Sequence, residues 1–278
     1  MMPKILKASN DYIFKRVFGD ERNKDILAEF LMSVLDFPKE EYEGLAILNP
    51  HTNIEKIKGK TSILDILVHT RSQQQIHVEI QVKEDKAMRE RLMYYASKKL
   101  ASQLDSGEEH RELKKVVSIL ITGYSLTGEE RYHNIYRVAN IKTGAQLTDI
   151  LEVHTLEYDK LPVEEDGRML YNWLRIIKSN SMEELQMLKD KSEAIEKAVG
   201  ILEYLSQDKE ARIEYETREK GLRDYNSGIA NATREGIEQG VEQNKLEVAK
   251  KGLENGIDIQ TLVLLTGLTE RELGNLLS

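Results

Sequence analysis

Two acidic residues interrupt segments that otherwise have the pattern of β-strands. Asp65 lies inside ILDILV, where the five remaining residues are all apolar, and Glu79 lies inside IHVEIQV at 76–82. In the second segment apolar and polar residues alternate, which predicts a strand with one dry face and places His77, Glu79 and Gln81 on the other face. A charge within a strand costs free energy unless it is paired, hydrogen-bonded, solvated or bound to a metal ion.

The two segments together predict an antiparallel hairpin. A short polar turn at 71–73 separates them, and Asp65 and Glu79 are equally far from position 72. Opposed carboxylates repel each other unless a cation or a proton lies between them. No Lys or Arg stands at 63, 67, 77 or 81 to neutralise the pair. We therefore predict a divalent cation between the two carboxylates, with a solvated sheet face as the alternative.

The expected ion is Mg²⁺, for which Mn²⁺ can substitute. Mg²⁺ prefers oxygen ligands, needs only one or two carboxylates, and keeps water and substrate phosphate oxygens as its other ligands. Such an ion lowers the pKa of a bound water and stabilises charge on a phosphoryl oxygen. Gln81, one pleat beyond Glu79, is placed to orient that water or to hydrogen-bond the phosphate.

The elements around these residues predict a mixed α/β domain. The chain begins with two amphipathic helices, DYIFKRVFGD, capped by Asn10 or Asp11, and KDILAEFLMSVL. Strand patterns follow at 44–49, 61–70, 74–82, 114–124, 132–141 and 148–158, and a long helix is predicted at 83–104. The strand at 114–124 is nearly all apolar, which predicts burial on both faces. This order of elements favours one mixed sheet flanked by helices.

The chain changes character near residue 165. We predict one domain at 1–165 and an all-helical region at 166–278. Glycines at 236, 240, 252 and 256 recur in this region, which indicates either a weak solvated helix or close helix contacts. A short αα unit with a Thr269–Glu272 capping box ends the chain and resembles a helix-turn-helix. Its last helix lacks a base-reading set of side chains, which favours a packing or homodimer module.

Composition excludes several classes of site. The chain has 278 residues, 40% of them hydrophobic, and no cysteine, so disulfides and thiolate metal sites are excluded. No apolar run approaches the roughly 18 residues of a membrane span, and the N-terminus lacks a signal-peptide pattern, so we expect a cytoplasmic protein. The net charge of −8 disfavours nonspecific attraction to nucleic acid without excluding a local basic groove. Aromatic content of 6% offers little for sugar stacking by a glycosidase.

Four segments carry a family resemblance: NDYIFKRVFGDERNKDILAEFL, ILDI, VEIQV and RERLMYYASKKLASQL. Together they resemble the recombination-promoting nuclease and transposase family of the PD-(D/E)XK nuclease superfamily. Its members combine a D-x-x-F-K-x-x-F helix, here Asp11, Phe14, Lys15 and Phe18, with an Asp…Glu-x-Gln core. The resemblance covers about residues 8–160. It implies a restriction-endonuclease-like core and a metal-dependent DNA endonuclease associated with recombination and transposition.

The resemblance also implies roles for individual residues. Asp65 and Glu79 take the positions of the metal ligands, and the backbone carbonyl of Ile80 is the implied third ligand. Gln81 stands where the superfamily usually has the lysine that assists the attacking water, so the implied catalytic set is Asp65, Glu79 and Gln81. Leu64 occupies the position of the motif's proline.

Accessory positions on the first helix each have two interpretations. Asp11 could approach the metal, as acidic residues there do in related nucleases, although N-capping explains it equally well. Lys15 could contact a phosphate or lie on a solvated helix face.

The predicted long helix and strand add further accessory positions. Arg89, Arg91 and Tyr95 could line a DNA groove, with a core position as the alternative for Tyr95. His77 could assist at the site or be an exposed strand residue. The rival function for the whole chain is a catalytically weak or inactive nuclease fold that serves as an interaction or oligomerisation module.

Overall fold

The computed structural model describes residues 5–48 and 65–276. Within these ranges the chain forms six strands and ten α-helices. The strands are β1 (Ala46–Ile47), β2 (Ile66–His69), β3 (Gln75–Gln81), β4 (Val116–Thr122), β5 (His133–Arg137) and β6 (Leu151–Glu157). The helices are α1 (Asp11–Phe18), α2 (Lys24–Val34), α3 (Lys39–Glu43), α4 (Met88–Ala101), α5 (Met169–Lys178), α6 (Met182–Leu188), α7 (Glu193–Gln207), α8 (Lys209–Glu254), α9 (Ile259–Thr266) and α10 (Glu270–Asn275).

The strands form one mixed sheet in the order β1-β2-β3-β4-β6-β5. Strands β3, β4 and β6 are parallel to one another, whereas β1, β2 and β5 pair antiparallel with their neighbours. The predicted α/β fold, with a mixed sheet flanked by helices and a helical C-terminal region, is confirmed. Each strand is shorter than its sequence pattern, and residues 49 and 61–64 of two predicted strands lie outside the described residues.

The predicted hairpin is formed by β2 and β3. Ile66 pairs with Val78 and His69 pairs with Gln75, so the register is centred on position 72. The turn is closed by the Thr70 N–H, which donates to the Gln74 carbonyl at 3.0 Å. Asp65 directly precedes β2, and the same register carried one residue further places it opposite Glu79.

The sheet separates two apolar layers. Every residue of β4 is buried, as its apolar pattern predicts for a strand covered on both faces. On one side, the main core contains side chains of β2, β3 and β4 together with α1, α2, α5 and α7. On the other side, Met88 and Leu92 of α4 pack against Leu120 and Val153. The Glu79 face of β3 is therefore the face that α4 covers.

The helix α4 begins five residues later than its pattern predicts. The Asp85 carboxylate accepts a hydrogen bond from the Ala87 N–H at 2.9 Å, which is a turn geometry just before the helix. Arg91, in the first turn of α4, donates to the other Asp85 oxygen at 2.6 Å. This turn therefore fixes where α4 starts beside the end of β3.

The first compact unit extends well past residue 165. The chain divides into units Met1–Glu219 and Lys220–Ser278, whereas the sequence predicts a boundary at 165/166. The helices after that position pack on the sheet core: the Trp173 ring of α5 is fully buried and contacts Phe18 and Phe30 edge-on, with centroids 5.6 Å and 6.3 Å apart. The change of composition marks where strands end, not where the unit ends.

The second unit has a small core of its own. Ala249, Leu262, Leu268 and Leu273 are buried together. Gly252 allows the close approach of α9, since a Cβ there would lie 2.3 Å from Leu262 Cδ2. The predicted capping box of Thr269 and Glu272 is confirmed at the start of α10.

The helix α8 is 46 residues long and largely polar. Two of its glycines, Gly236 and Gly240, have open space where a side chain would be, which agrees with the solvated-helix interpretation for this stretch. Within the described ranges, no helix is both long enough and apolar enough to span a membrane.

Candidate metal centre

The hairpin brings three side chains with metal-ligating atoms together. One ligand atom each from Asp65, His77 and Glu79 lie within 4.8 Å of one another. His77 Nε2 lies 2.7 Å from Asp65 Oδ2, which is hydrogen-bonding distance. The antiparallel register places Asp65 opposite Glu79, and the two-residue period of β3 places His77 on the same face as Glu79. These three residues are called the Asp65 cluster below.

Glu79 is buried, so the interpretation as a solvated strand residue is wrong for it. Its side chain is 4% exposed. Burial raises the pKa of the Glu79 carboxyl, and the nearby Asp65 charge raises it further, against weaker lowering by His77, Arg91 and Lys99. Because this pKa is raised, the negative charge on Glu79 is disfavoured in the protein without a further cation.

The positive side chains near the Asp65 cluster compensate its charge incompletely. Arg91 Nη2 donates to Glu79 Oε1 at 3.4 Å, much longer than its 2.6 Å bond to Asp85. Lys15 of α1 is 4% exposed, and burial lowers the pKa of its ammonium while the Asp65 charge acts to raise it. A solvated position for Lys15 is therefore wrong, and its charge lies close enough to Asp65 to interact with it.

The two remaining residues of the predicted catalytic and metal-binding set, Ile80 and Gln81, lie on β3. Gln81 is the last residue of the strand, is half-buried, and donates from Nε2 to the Lys83 carbonyl at 3.0 Å. The Ile80 side chain belongs to the main core on the opposite face. The roles of Gln81 and of the Ile80 carbonyl at the metal stay predictions.

Two accessory positions are not among the three residues of the Asp65 cluster. Asp11 accepts a hydrogen bond from Arg218 Nη1 at 2.8 Å and another from the Tyr12 N–H at 2.8 Å. Asn10 caps α1, with its side chain accepting from two N–H groups of the first turn. Asp11 is thus held by Arg218 and the helix terminus. Arg89 is exposed on α4.

Sequence reasoning left two interpretations each for His77 and Tyr95 and missed one contributor. His77 is 3% exposed, so its interpretation as an exposed strand residue is wrong. Tyr95 is 38% exposed, so the interpretation as a core residue is wrong for it. Lys99, whose charge lowers the pKa of Glu79, was not singled out. The spacing of Arg91, Tyr95 and Lys99, four residues apart on one helix face, is the pattern that could have identified this row.

A comparison with known families agrees with this geometry. Residues 8–232 match the sequence profile of the family described as PD-(D/E)XK nuclease family transposase. The chain belongs to this family. PD-(D/E)XK nucleases generally use divalent metal ions, and the donor set of the Asp65 cluster in this family member fits such an ion. No curated protein and no solved structure matches the chain.

Proposed function

We propose that this PD-(D/E)XK family protein is a metal-dependent DNA endonuclease that hydrolyses phosphodiester bonds during recombination or transposition. The observation that carries the proposal is the convergence of Asp65, His77 and Glu79 within 4.8 Å, in a chain of a nuclease family. Buried acidic side chains converge in this way against their mutual repulsion, which is typical of sites arranged for a cation.

The carboxylates of Asp65 and Glu79 hold the ion, for which we propose Mg²⁺ or Mn²⁺. The fit rests on the donor atoms and on the pKa of Glu79, which is raised by burial first and then by the Asp65 charge. When bound, a divalent ion supplies positive charge that lowers the pKa of a water and stabilises charge on phosphoryl oxygens. Its removal leaves two repelling acids.

Two further residues complete the chemistry on the protein side. The Gln81 amide, at the end of β3, orients the attacking water by hydrogen bonding but cannot take up its proton. Lys15 provides a fixed positive charge beside Asp65 from the first helix. The proton therefore leaves to solvent or to a substrate phosphate oxygen.

A row of side chains on α4 supplies contacts to DNA. Arg91 reaches Glu79, the Lys99 charge acts on the same carboxylate, and Tyr95 lies between them along the helix. Tyr94 and Tyr95 are 61% and 38% exposed, with ring centroids 5.3 Å apart. Cationic side chains contact phosphates, and exposed aromatic rings stack on bases. This row, with exposed Arg89, offers a local DNA surface in a chain whose net charge is −8.

Nicking of supercoiled plasmid tests the proposal directly. The wild-type protein is expected to cut DNA with Mg²⁺ or Mn²⁺ and to stop when EDTA is added. Asp65→Asn is expected to lose more than about 100-fold in rate, beyond the usual effect of losing an outer-shell partner. Asp25→Asn, which removes an exposed carboxylate on α2, serves as the matched control and should cut normally. Equal cutting by the two variants would refute the assignment.

The second candidate function is an interaction or oligomerisation module on an inactive nuclease fold. The observation in its favour is a set of exposed apolar side chains along the second unit's part of α8: Tyr225, Ile229, Ile237, Val241 and Val248. A homodimer formed through this helix would cover them. Light scattering of the wild type and of Ile237→Lys separates the candidates. A dimer lost in this variant, together with no nuclease activity in either protein, would favour the module.

A further inference from the structure

His77 has a position that the family motif does not account for. The motif names an Asp, a Glu and a Gln, and His77 is none of these. Its imidazole is nevertheless 3% exposed, lies on the Glu79 face of β3, and brings Nε2 to 2.7 Å from Asp65 Oδ2. Two ligand atoms of an octahedral ion lie roughly 3 Å apart when they are neighbours, given bond lengths of 2.0–2.1 Å. The observed approach is therefore close to that of two ligands of one ion.

A second histidine in the same sheet shows what a purely structural imidazole looks like. His154 Nε2 lies 2.7 Å from Glu152 Oε1, and its Nδ1 lies 2.9 Å from His133 Nε2. Both of its nitrogens are used, and its carboxylate partner also accepts from Lys115 and Arg137. That arrangement is complete without a metal ion.

The imidazole of His77 differs from His154 in what surrounds it. Among the described residues, it makes one hydrogen bond, and the acceptor is a carboxylate that itself faces a second carboxylate. A hydrogen bond from His77 to Asp65 alone compensates the repulsion between Asp65 and Glu79 only in part, since the pKa of Glu79 remains raised by burial and by Asp65. If His77 Nε2 binds a metal ion instead, the hydrogen bond to Asp65 is no longer required. One cation then compensates the charges of both carboxylates and is also bound by the imidazole.

We infer that His77 Nε2 is a ligand of the catalytic divalent ion and that it makes the centre prefer first-row transition ions, such as Mn²⁺, over Mg²⁺. This inference rests on the proposed metal-dependent function. Mg²⁺ prefers oxygen ligands, whereas imidazole nitrogen suits transition ions. A site of two carboxylates and one imidazole therefore binds Mn²⁺ more tightly, although Mg²⁺ can still enter it.

Pulsed electron paramagnetic resonance of bound Mn²⁺ tests the inference without relying on activity. The full-length wild-type protein loaded with Mn²⁺ should show modulation from a directly bonded ¹⁴N. Growth on ¹⁵N-labelled histidine should replace this by a ¹⁵N signal, which requires no variant. His77→Gln, which keeps a side-chain amide able to hydrogen-bond Asp65, should lose the signal. His110→Gln, an exposed histidine outside the cluster, should keep it.

Calorimetric titration measures the ion preference on the same proteins. We expect the wild type to bind Mn²⁺ about tenfold or more tightly than Mg²⁺, and His77→Gln to lose most of that difference. Mg²⁺ affinity should change little in the variant.

The outcomes separate this inference from the proposed function. Nitrogen coupling that follows the histidine label and disappears in His77→Gln supports both. Mn²⁺ that binds without histidine nitrogen coupling, or with coupling that persists in the variant, overturns the role of His77 and leaves the carboxylate site standing. No saturable binding of either ion refutes the metal centre itself, and the inference with it.

Discussion

Two glutamates of one sheet are equally buried and have opposite electrostatics. Glu79 of β3 is 4% exposed and Glu152 of β6 is 3% exposed. The pKa of Glu79 is raised, by burial first and then by Asp65. Burial also acts on Glu152, but hydrogen bonds from His154, Arg137 and Lys115 outweigh it and lower the pKa to about 2.

The difference lies in the number and distance of donors. Glu152 accepts from Arg137 Nε at 2.5 Å, from His154 Nε2 at 2.7 Å and from Lys115 Nζ at 3.1 Å. Glu79 has one long contact, from Arg91 at 3.4 Å, and a second carboxylate nearby.

A structural carboxylate and a ligand-binding carboxylate differ in whether the protein itself compensates their charge. A buried acid with enough donors stabilises its ionised form and needs nothing more. A buried acid that faces another acid is not fully compensated by positive charge from the protein, and a bound cation can supply the missing charge. Replacing a carboxylate of the first kind should lower the free energy of unfolding, and added metal ions should not change its contribution. Replacing one of the second kind by a neutral side chain should leave stability unchanged in the absence of metal but should abolish metal binding.

The largest effect is expected from Glu152→Gln. Removing this charge leaves Lys115, Arg137 and His154 without their buried anionic partner, and breaking such a pair costs at most roughly 3–5 kcal/mol of unfolding free energy. Urea denaturation followed by circular dichroism measures the change. Glu165→Gln, an exposed glutamate paired with Lys191, is the control and should change stability by less than about 1 kcal/mol. Similar curves for the two variants would contradict the contrast.

The next effect is ligand stabilisation, which should involve only the Asp65 cluster. At a free Mn²⁺ concentration one hundred times the dissociation constant, bound Mn²⁺ should raise the free energy of unfolding by about 2.7 kcal/mol. The gain should vanish in Asp65→Asn and remain in Asp25→Asn. Thermal melting with and without Mn²⁺ measures it, and a gain that survives in Asp65→Asn would place the ion elsewhere.

Acid should weaken the histidine network before it affects Glu152. Burial first, then the neighbouring His154, lowers the pKa of His133 to about 4. The neutral form is favoured in the folded protein, so this contribution is complete above the ordinary histidine pKa of about 6.5 and is lost as pH falls towards 4. In that window, His133→Gln should reduce the slope of stability against pH by at most about 1.4 kcal/mol per unit. Urea midpoints between pH 7 and 4 measure this slope, and an unchanged slope would contradict the assignment.

The smallest effect is expected from Glu79→Gln without metal. Because the charge of Glu79 is disfavoured, a neutral amide of the same shape should leave stability unchanged or raise it by about 1 kcal/mol. The same variant should lose metal binding. Urea denaturation in EDTA measures the first effect and titration measures the second. A large loss of stability in EDTA would show that Glu79 is structural, like Glu152.

The hairpin and its register could be predicted because they depend on local pattern. Alternation assigns faces along β3, and a polar turn centred on position 72 brings Asp65 opposite Glu79. These features need no knowledge of the rest of the fold. The burial of His77 could not be predicted in this way, because it depends on the covering helix α4.

The hydrogen bonds of Glu152 were not predicted, since its partners are far apart in sequence. Lys115, Arg137 and Glu152 belong to different strands or their ends, and the order of β4, β6 and β5 in the sheet brings them together. The first compact unit extends past the predicted boundary at 165 for a related reason. Composition shows where strands stop, whereas the packing of Trp173 on Phe18 and Phe30 shows that the unit continues beyond that point.

The first helix is held in place by residues made much later. The Leu6 N–H, just before α1, donates to Ser206 Oγ at 3.0 Å, and Asp11 in the first turn of α1 accepts from Arg218 Nη1 at 2.8 Å. Because α7 is synthesised long after α1, the helix α1 and its Lys15 cannot be fully packed until translation has passed α7. We therefore expect the nascent chain to lack a fully packed α1, and with it a fixed position for Lys15, until most of the chain has been synthesised.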